Sequence, residues 1–323
     1  MLSPNYNIQC FLALSAIQGV GYETLRSIAE KQIPFSDIVD LNSSKEAADV
    51  LRSNGARIAT ESVSDWASIR ERILTRSRKL LSDLNEAQVQ VIDRSHPMFP
   101  KSLLDLSDAP HWLFVQGSLS VLSEPSIAVV GTRSPSDKGL WVTEYVGLCL
   151  NYWGCPTVSG LALGIDQKIH VASIEANLPT IAVLGTGIFS DYPKNASELR
   201  RNIVRNGGAI ITEYLPNETY SAKNFVRRNR LQAALAKVLI PTEWAAKSGT
   251  AHTVQYAKKL KRAIATLSVY SPGGGLTPPS ITAPNFCEFA IPGEEEKFRE
   301  FVREALQKRN IEEPIQQNLF EGI

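Results

Sequence analysis

Three stretches in the middle of the chain repeat one texture: a short unbroken apolar run, a glycine turn, and residues suited to open a helix. They are SIAVVGTR (Ser126 to Arg133), TVSGLALGID (Thr157 to Asp166) and PTIAVLGTG (Pro179 to Gly187). Runs such as IAVV and TIAVL are apolar at every position, as strands of a parallel sheet are when helices cover both faces. The glycines let the backbone turn tightly, and the N–H groups at the start of each following helix point unpaired at whatever lies there. The pattern predicts a Rossmann-like α/β domain that holds a phosphate-bearing ligand at the carboxyl ends of its strands.

The flanking sequence changes period. Ile8 to about Lys31 carries apolar residues at helical spacing, interrupted by Gln18-Gly19-Val20-Gly21. It reads as two short helices around a GVG turn, a pattern similar to helix-hairpin-helix or sterile-alpha-motif modules. Such a turn either presents amides to a DNA phosphate or is simply a connection that needs glycine. Ser43 to about Glu86 is polar and helix-compatible, with mixed charge. His96 to Ser126 is an irregular, proline-rich lead-in with one short strand, WLFVQG. After the third glycine turn the spacing predicts a helix at Ala196 to Asn206, a strand at GAIITEY, a helix around Arg228 to Ala236, a strand at KVLIPTE, a helix after Ser248-Gly249-Thr250, and a strand at RAIATL. Ser271 to Pro284 has the Gly/Pro content of a linker, CEFAI is a further candidate strand, and Glu294 to Lys308 a candidate amphipathic helix before a polar tail. The expected organisation is an N-terminal helical domain over residues 1–86, a Rossmann-like domain over 87–270, and a linker with a short C-terminal tail over 271–323 that can pack back on it.

Composition narrows the function. Lys and Arg number 34 against 33 Asp and Glu, so net charge gives no footprint of nucleic acid, and any such footprint must be local. The four cysteines, at 10, 149, 155 and 287, form no CxxC pair and have no histidine at metal spacing, which points to free thiols in a reducing compartment, with neither metal nor other cofactor. The first residues lack a basic leader and no run is long enough to span a bilayer, so a cytoplasmic protein with no membrane association is expected. A local charge excess does exist. From Lys194 to Arg230 eight cations face three glutamates, with Phe225 inside the run.

Six stretches in order then resemble the DprA/Smf family of DNA-processing proteins. FLALSAIQGVGYETLRSI is similar to that family's N-terminal module, and FPKSLLDLSDAPHWLFVQGSL to its lead-in. AVVGTR, SGLALGIDQKIH, TIAVLGTGIFSDYP and FVRRNRLQAALA fall at its Rossmann signatures, with SGT at Ser248 to Thr250 closing the series. The resemblance implies an extended Rossmann fold without enzymatic activity, single-stranded DNA bound in a basic pocket, a homodimer, a RecA-type recombinase as partner, and a role in DNA recombination and natural transformation. The chain departs from the pattern at Leu163, where the family's loop carries arginine, at AALA (Ala233 to Ala236) in place of AGLS, and at PTEW in place of an acidic pair.

The candidate nucleic-acid residues are Gly131, Thr132 and Arg133 of the first turn, Ser159, Gly160 and Gly164 of the second, and Lys223, Phe225, Arg228, Asn229 and Arg230. Arg133 can grip a phosphate with two parallel hydrogen bonds or serve a structural ion pair. Phe225 either stacks a base, as the resemblance implies, or anchors a helix start in the core. Lys223 and Arg228 are assigned to phosphates, Asn229 to holding the loop, and Arg230 to a phosphate or an internal carboxylate. Asp166 and His170, one helical turn apart, are expected to organise the second loop as a pair, with acid–base catalysis the sharper alternative. Two other functions fit the fold. One is a phosphoribohydrolase-like enzyme, which would need a glutamate where SGTAHT places Thr253. The other is a nucleotide sensor in a defence or regulatory system.

Overall fold

The computed structural model describes residues 4–59, 65–190, 192–194, 196–270 and 274–308. Its strands are β1 (Val89–Asp93), β2 (Trp112–Gly117), β3 (Ile127–Val130), β4 (Thr157–Ser159), β5 (Thr180–Val183), β6 (Ala209–Thr212), β7 (Val238–Pro241), β8 (Ala263–Val269) and β9 (Phe286–Ile291). They form one sheet in the order β1-β2-β6-β5-β4-β3-β7-β8-β9, parallel from β6 to β9, with β2 antiparallel to both of its neighbours. The five strands from β3 to β7 are buried at every position, which is why each reads as an uninterrupted apolar or small-residue run.

Side-chain alternation divides β3 between two cores. Ile127 and Val129 pack with α6 (Asp137–Trp153), α7 (Ile165–Glu175) and α11 (Glu295–Gln307). Ala128 and Val130 pack on the other face with α9 (Ala222–Leu235) and α10 (Gly249–Lys259). The chain lays β4, β5 and β6 down on one flank of β3, then returns to place β7 on the other. This reversal opens a crevice beyond the carboxyl ends of β3 and β7, the place where doubly wound sheets take ligands. Helix α8 (Ser197–Arg205) follows the third glycine turn.

At the N-terminus lie α1 (Pro4–Ser15), α2 (Tyr22–Glu30), α3 (Phe35–Val39), α4 (Ser44–Ser53) and α5 (Trp66–Glu86). Their apolar faces share one cluster with Trp112, Phe114, Ile210 and Tyr214 of the sheet, so the boundary drawn at residue 86 separates elements but not cores. The GVG turn faces the protein itself. Gly19 has φ +91°, a Cβ there would stand 2.2 Å from the Arg57 carbonyl oxygen, and the Arg57 amide donates to the Gly19 carbonyl at 3.0 Å. Glycine is needed for that close approach. The boundary at residue 270 also falls inside the sheet, because β9 pairs along all of its length with β8 and α11 packs over it. The linker residues 271–273 and the tail from residue 309 lie outside the described residues. None of the described helices is long and apolar enough to cross a membrane.

Candidate nucleic-acid interface

At the crevice the loops after β3, β4 and β7 meet the first turns of α9, around a cleft of about 430 Å³. Short polar ties fix its walls. The Thr132 amide donates to the Glu243 carbonyl at 2.8 Å, and the Glu243 carboxylate accepts from the Ser136 amide at 2.8 Å. Thr250 Oγ1 donates to the Gly131 carbonyl at 3.1 Å, and Asn229 Nδ2 to the Gly249 carbonyl at 2.9 Å, so the GTR turn, α9 and α10 are tied together. Gly164, at φ +81°, lies against the GTR turn so closely that a Cβ would sit 2.5 Å from the Thr132 carbonyl oxygen. Helix α9 begins without a side-chain cap, leaving first-turn N–H groups to favour negative charge in the cleft, whereas at the start of α7 the Ile165 and Gln167 amides donate to the Thr132 and Ala162 carbonyls.

Beneath the cleft is a charged floor. Arg228 is 3% exposed and donates through Nη1 to the Val183 carbonyl. Gly160 makes room for it, since a Cβ there would lie 2.1 Å from Nη1. Burial pulls the guanidinium down to about 10, opposed chiefly by the charge of Asp166. Asp166 is itself buried, which raises its carboxyl above the usual range against the pull of Arg228, and it accepts from the Gly160 amide at 3.1 Å. The two charges compensate one another, and Arg228 Nε has no partner among the described residues.

Phe225 and Arg133 form the upper wall. The Phe225 ring is 7% exposed and packs 5.0 Å from Tyr192 and 5.1 Å from Tyr220 between centroids, while Tyr220 is 49% exposed. The exposed Arg133 places its guanidinium 5.5 Å from the ring centroid, and Arg228 stands at the same distance. Lys223 is exposed on the first turn of α9, and Leu163, 54% exposed, occupies the loop where the family's arginine is expected. The sequence reading missed Tyr192 and Tyr220. Tyr220 stands eight positions before Arg228 but Tyr192 stands 36 before it, so no local pattern marked the pair.

Three assignments need correction. Arg230 is fully buried, with Nη1 and Nη2 donating to Glu213 at 2.6 and 2.8 Å and Nε to Asp108 at 2.9 Å, so it serves internal carboxylates and no phosphate. Ser159 is fully buried, and its hydroxyl donates to the Val129 carbonyl at 2.6 Å, joining β4 to β3 rather than facing a ligand. His170 bonds through Nδ1 to Thr180 Oγ1 at 2.7 Å, not to Asp166, and burial pushes it down to about 3, so it is a neutral core group. The charge excess from Lys194 to Arg230 is likewise divided. Arg200 holds the Ser190 and Ile188 carbonyls, Arg227 pairs with Glu23 at 2.7 Å, and Arg228 and Arg230 are interior. Lys194, Arg201, Arg205 and Lys223 remain on the surface.

Comparison with known proteins agrees with this architecture. The family described as DNA recombination-mediator protein A matches residues 90–277. Protein Smf of Escherichia coli is 33% identical over 205 residues, 61% of this chain and 54% of that protein. The DNA processing protein DprA of Streptococcus pneumoniae is 37% identical over 159 residues, 49% of this chain and 56% of that protein. The chain thus spans about half the length of the curated relatives it matches. The solved structure of the pneumococcal DprA superposes with a TM-score of 0.60 at 26% identity, covering 83% of this chain and 87% of that one. The Helicobacter pylori DNA processing protein A, whose structure addresses a single-stranded DNA binding mode, gives a TM-score of 0.51 at 28% identity over 56% of this chain and 80% of that one. With a family match over more than half of its residues and a fold shared with these structures, the chain belongs to the DprA/Smf family of DNA-processing proteins.

Proposed function

We propose that this chain binds single-stranded DNA in the cleft at the carboxyl ends of β3 and β7, and does so as a recombination mediator rather than as an enzyme. The observation that carries the reading is the exposed Arg133 guanidinium beside the Phe225 ring, 5.5 Å from its centroid, with Lys223 nearby on an uncapped helix start. A base stacked on the Phe225–Tyr220–Tyr192 cluster puts its phosphates within reach of Arg133, Lys223 and the first-turn amides of α9. Arg228 acts from below: being buried and matched by Asp166, it stiffens the floor beneath the ring. Gly131, Thr132, Gly160, Gly164 and Asn229 shape and brace the walls.

The family match supports extending the reading to handover of the strand to a RecA-type recombinase, self-association as a homodimer, and a cytoplasmic setting in DNA uptake or recombination. No bond-breaking step belongs to the reading. Thr253 lines the cleft where a phosphoribohydrolase of this topology would need its glutamate, and the one carboxylate lining the cleft among the described residues, Asp166, is locked beneath it.

Fluorescence-anisotropy titration with labelled oligo-dT tests the proposal, with duplex DNA and mononucleotides as competitors. Salt-sensitive binding that duplex displaces poorly is the expected result. Absence of binding at low salt, or displacement by a mononucleotide, overturns it in favour of a small-ligand sensor.

A further inference from the structure

Residues 185–190 and Tyr192 stand between the Phe225 side of the cleft and a second depression. A Cβ on Gly185 would lie 2.8 Å from the Phe225 ring, and Tyr192 packs against that ring, so these residues back the Phe225 side of the cleft. Between them in sequence, Ile188 and Phe189 line a groove of about 450 Å³ that runs along α8. Residues 188–190 are pinned in place by Arg200, whose guanidinium donates to the Ile188 carbonyl at 2.6 Å and the Ser190 carbonyl at 3.1 Å. Phe189 and Tyr192 are three residues apart in sequence, a span of at most about 11 Å, so groove and cleft adjoin.

The groove has the chemistry of a strand-binding surface. Arg200, Arg201 and Arg205 line it and, among the described residues, no carboxylate does, whereas Asp166 compensates the charge under the cleft and Glu304 sits among the cations of the depression beside α11. Arg201 and Arg205 are exposed, and neither is in an ion pair among the described residues. Phe189, 37% exposed, offers a ring beside them, and the amide side chains of Gln88 and Gln116 share the lining with small and aliphatic residues. Cations, an aromatic face and hydrogen-bonding amides without an opposing acid are the means by which a groove follows a single strand without reading its sequence.

We propose that the α8 groove is a second contact surface for the same single strand: on leaving the Phe225 cluster the strand passes over Ile188 and Phe189, and its next phosphates lie on Arg201 and Arg205. This inference rests on the proposed function, and it adds that the binding site is longer than the cleft. Affinity should therefore depend on oligonucleotide length in a way that the cleft alone would not produce.

The experiment compares labelled dT6 and dT24 on wild type, on the double variant Arg201→Glu/Arg205→Glu, and on Lys258→Glu/Lys259→Glu. The last carries the same charge change at the far end of α10, about 8–9 Å along the helix axis beyond Thr253 at the cleft. The α8 variant should bind dT6 within twofold of wild type and dT24 at least tenfold more weakly, with a salt slope flatter by about 0.7 for each phosphate that is no longer neutralised. The α10 variant should match wild type on both lengths. Equal effects of the α8 variant on both lengths, no effect on dT24, or an equal weakening by the α10 variant overturns the groove while leaving the cleft standing. The groove would then be free for an acidic partner or would contribute only a diffuse field. Failure of wild type to bind either oligonucleotide overturns the proposed function, and this inference with it.

Discussion

Two arginines near the same cleft are used in opposite ways. Arg230 on α9 is fully buried, with every nitrogen committed to Glu213, Asp108 or a backbone carbonyl, and Arg133 on the GTR turn stands in solvent against the Phe225 ring. The residue type is the same, and the supporting element decides its fate. Helix α9 packs between the sheet, α10 and the lead-in segment, so from Arg228 to Leu235 all of its residues are buried and its guanidiniums must find internal partners. The GTR turn lies beyond the end of β3, where one side chain can project into the cleft while its glycine and threonine are tied down behind it. One arginine is structural and the other is free for a ligand, although both occur in motifs that look equally basic.

The comparison can be broken most directly at Arg230. Arg230→Met leaves the Glu213 carboxylate buried with the Tyr22 hydroxyl but without its cationic partner and should cost about 3–5 kcal/mol, read as a large fall in Tm or as insoluble expression. A variant that keeps its stability and loses only DNA affinity would reverse the assignment.

The next effect is on pH. His170 is held at about 3 in the fold against about 6.5 unfolded, so its contribution is fully present above pH 6.5 and is lost as pH falls toward 3. At pH 5 this amounts to about 2 kcal/mol. Asp166, raised by burial, works the other way, because protonation relieves its desolvation and favours the fold. The stability gap between wild type and His170→Asn should therefore shrink from pH 7 to pH 5 in urea melts. A gap that stays constant would mean that the imidazolium is tolerated in the core.

Phe225→Leu separates packing from stacking more gently than alanine. The near-isosteric change should cost less than about 1.5 kcal/mol in stability, while loss of the ring face should weaken oligo-dT binding by about 1–3 kcal/mol. Retained affinity would make Phe225 a packing residue alone. The smallest effect on stability belongs to Arg133→Ala, within about 0.5 kcal/mol by denaturant melt. Affinity for oligo-dT should nevertheless fall, with a salt slope flatter by about 0.7. An unchanged slope would remove Arg133 from the phosphate-binding set and make the two arginines alike.

Much of the fold was legible because parallel strands buried on both faces carry a strong signal. IAVV and TIAVL needed no structure to be recognised, nor did the glycine turns after them. The edge strand β1, VQVID, went unread, since only Val89 and Ile92 of its five residues are buried and nothing in so short a mixture distinguishes a strand from the end of a polar helix. CEFAI was legible as a candidate strand, and what the linker-like composition before it hid was only its place in the sheet, along the open edge of β8. Within the site, Gly131, Gly164 and Asn229 were visible through turn and helix grammar. Tyr192 and Tyr220 were not, because the cluster they form with Phe225 joins residues 28 positions apart or more from the third turn to α9.

By itself the sequence determined the class of fold, the three strand–turn–helix units and the arginine at the end of the first, because burial period and turn stereochemistry act over a few residues. Only the tertiary structure decided which cations face solvent. An arginine's environment is set by carboxylates brought from elsewhere in the chain, Asp108 and Glu213 for Arg230, Glu23 for Arg227 and Asp166 for Arg228. Charge acts through space, and local sequence records only the charge, not the distance to its partner.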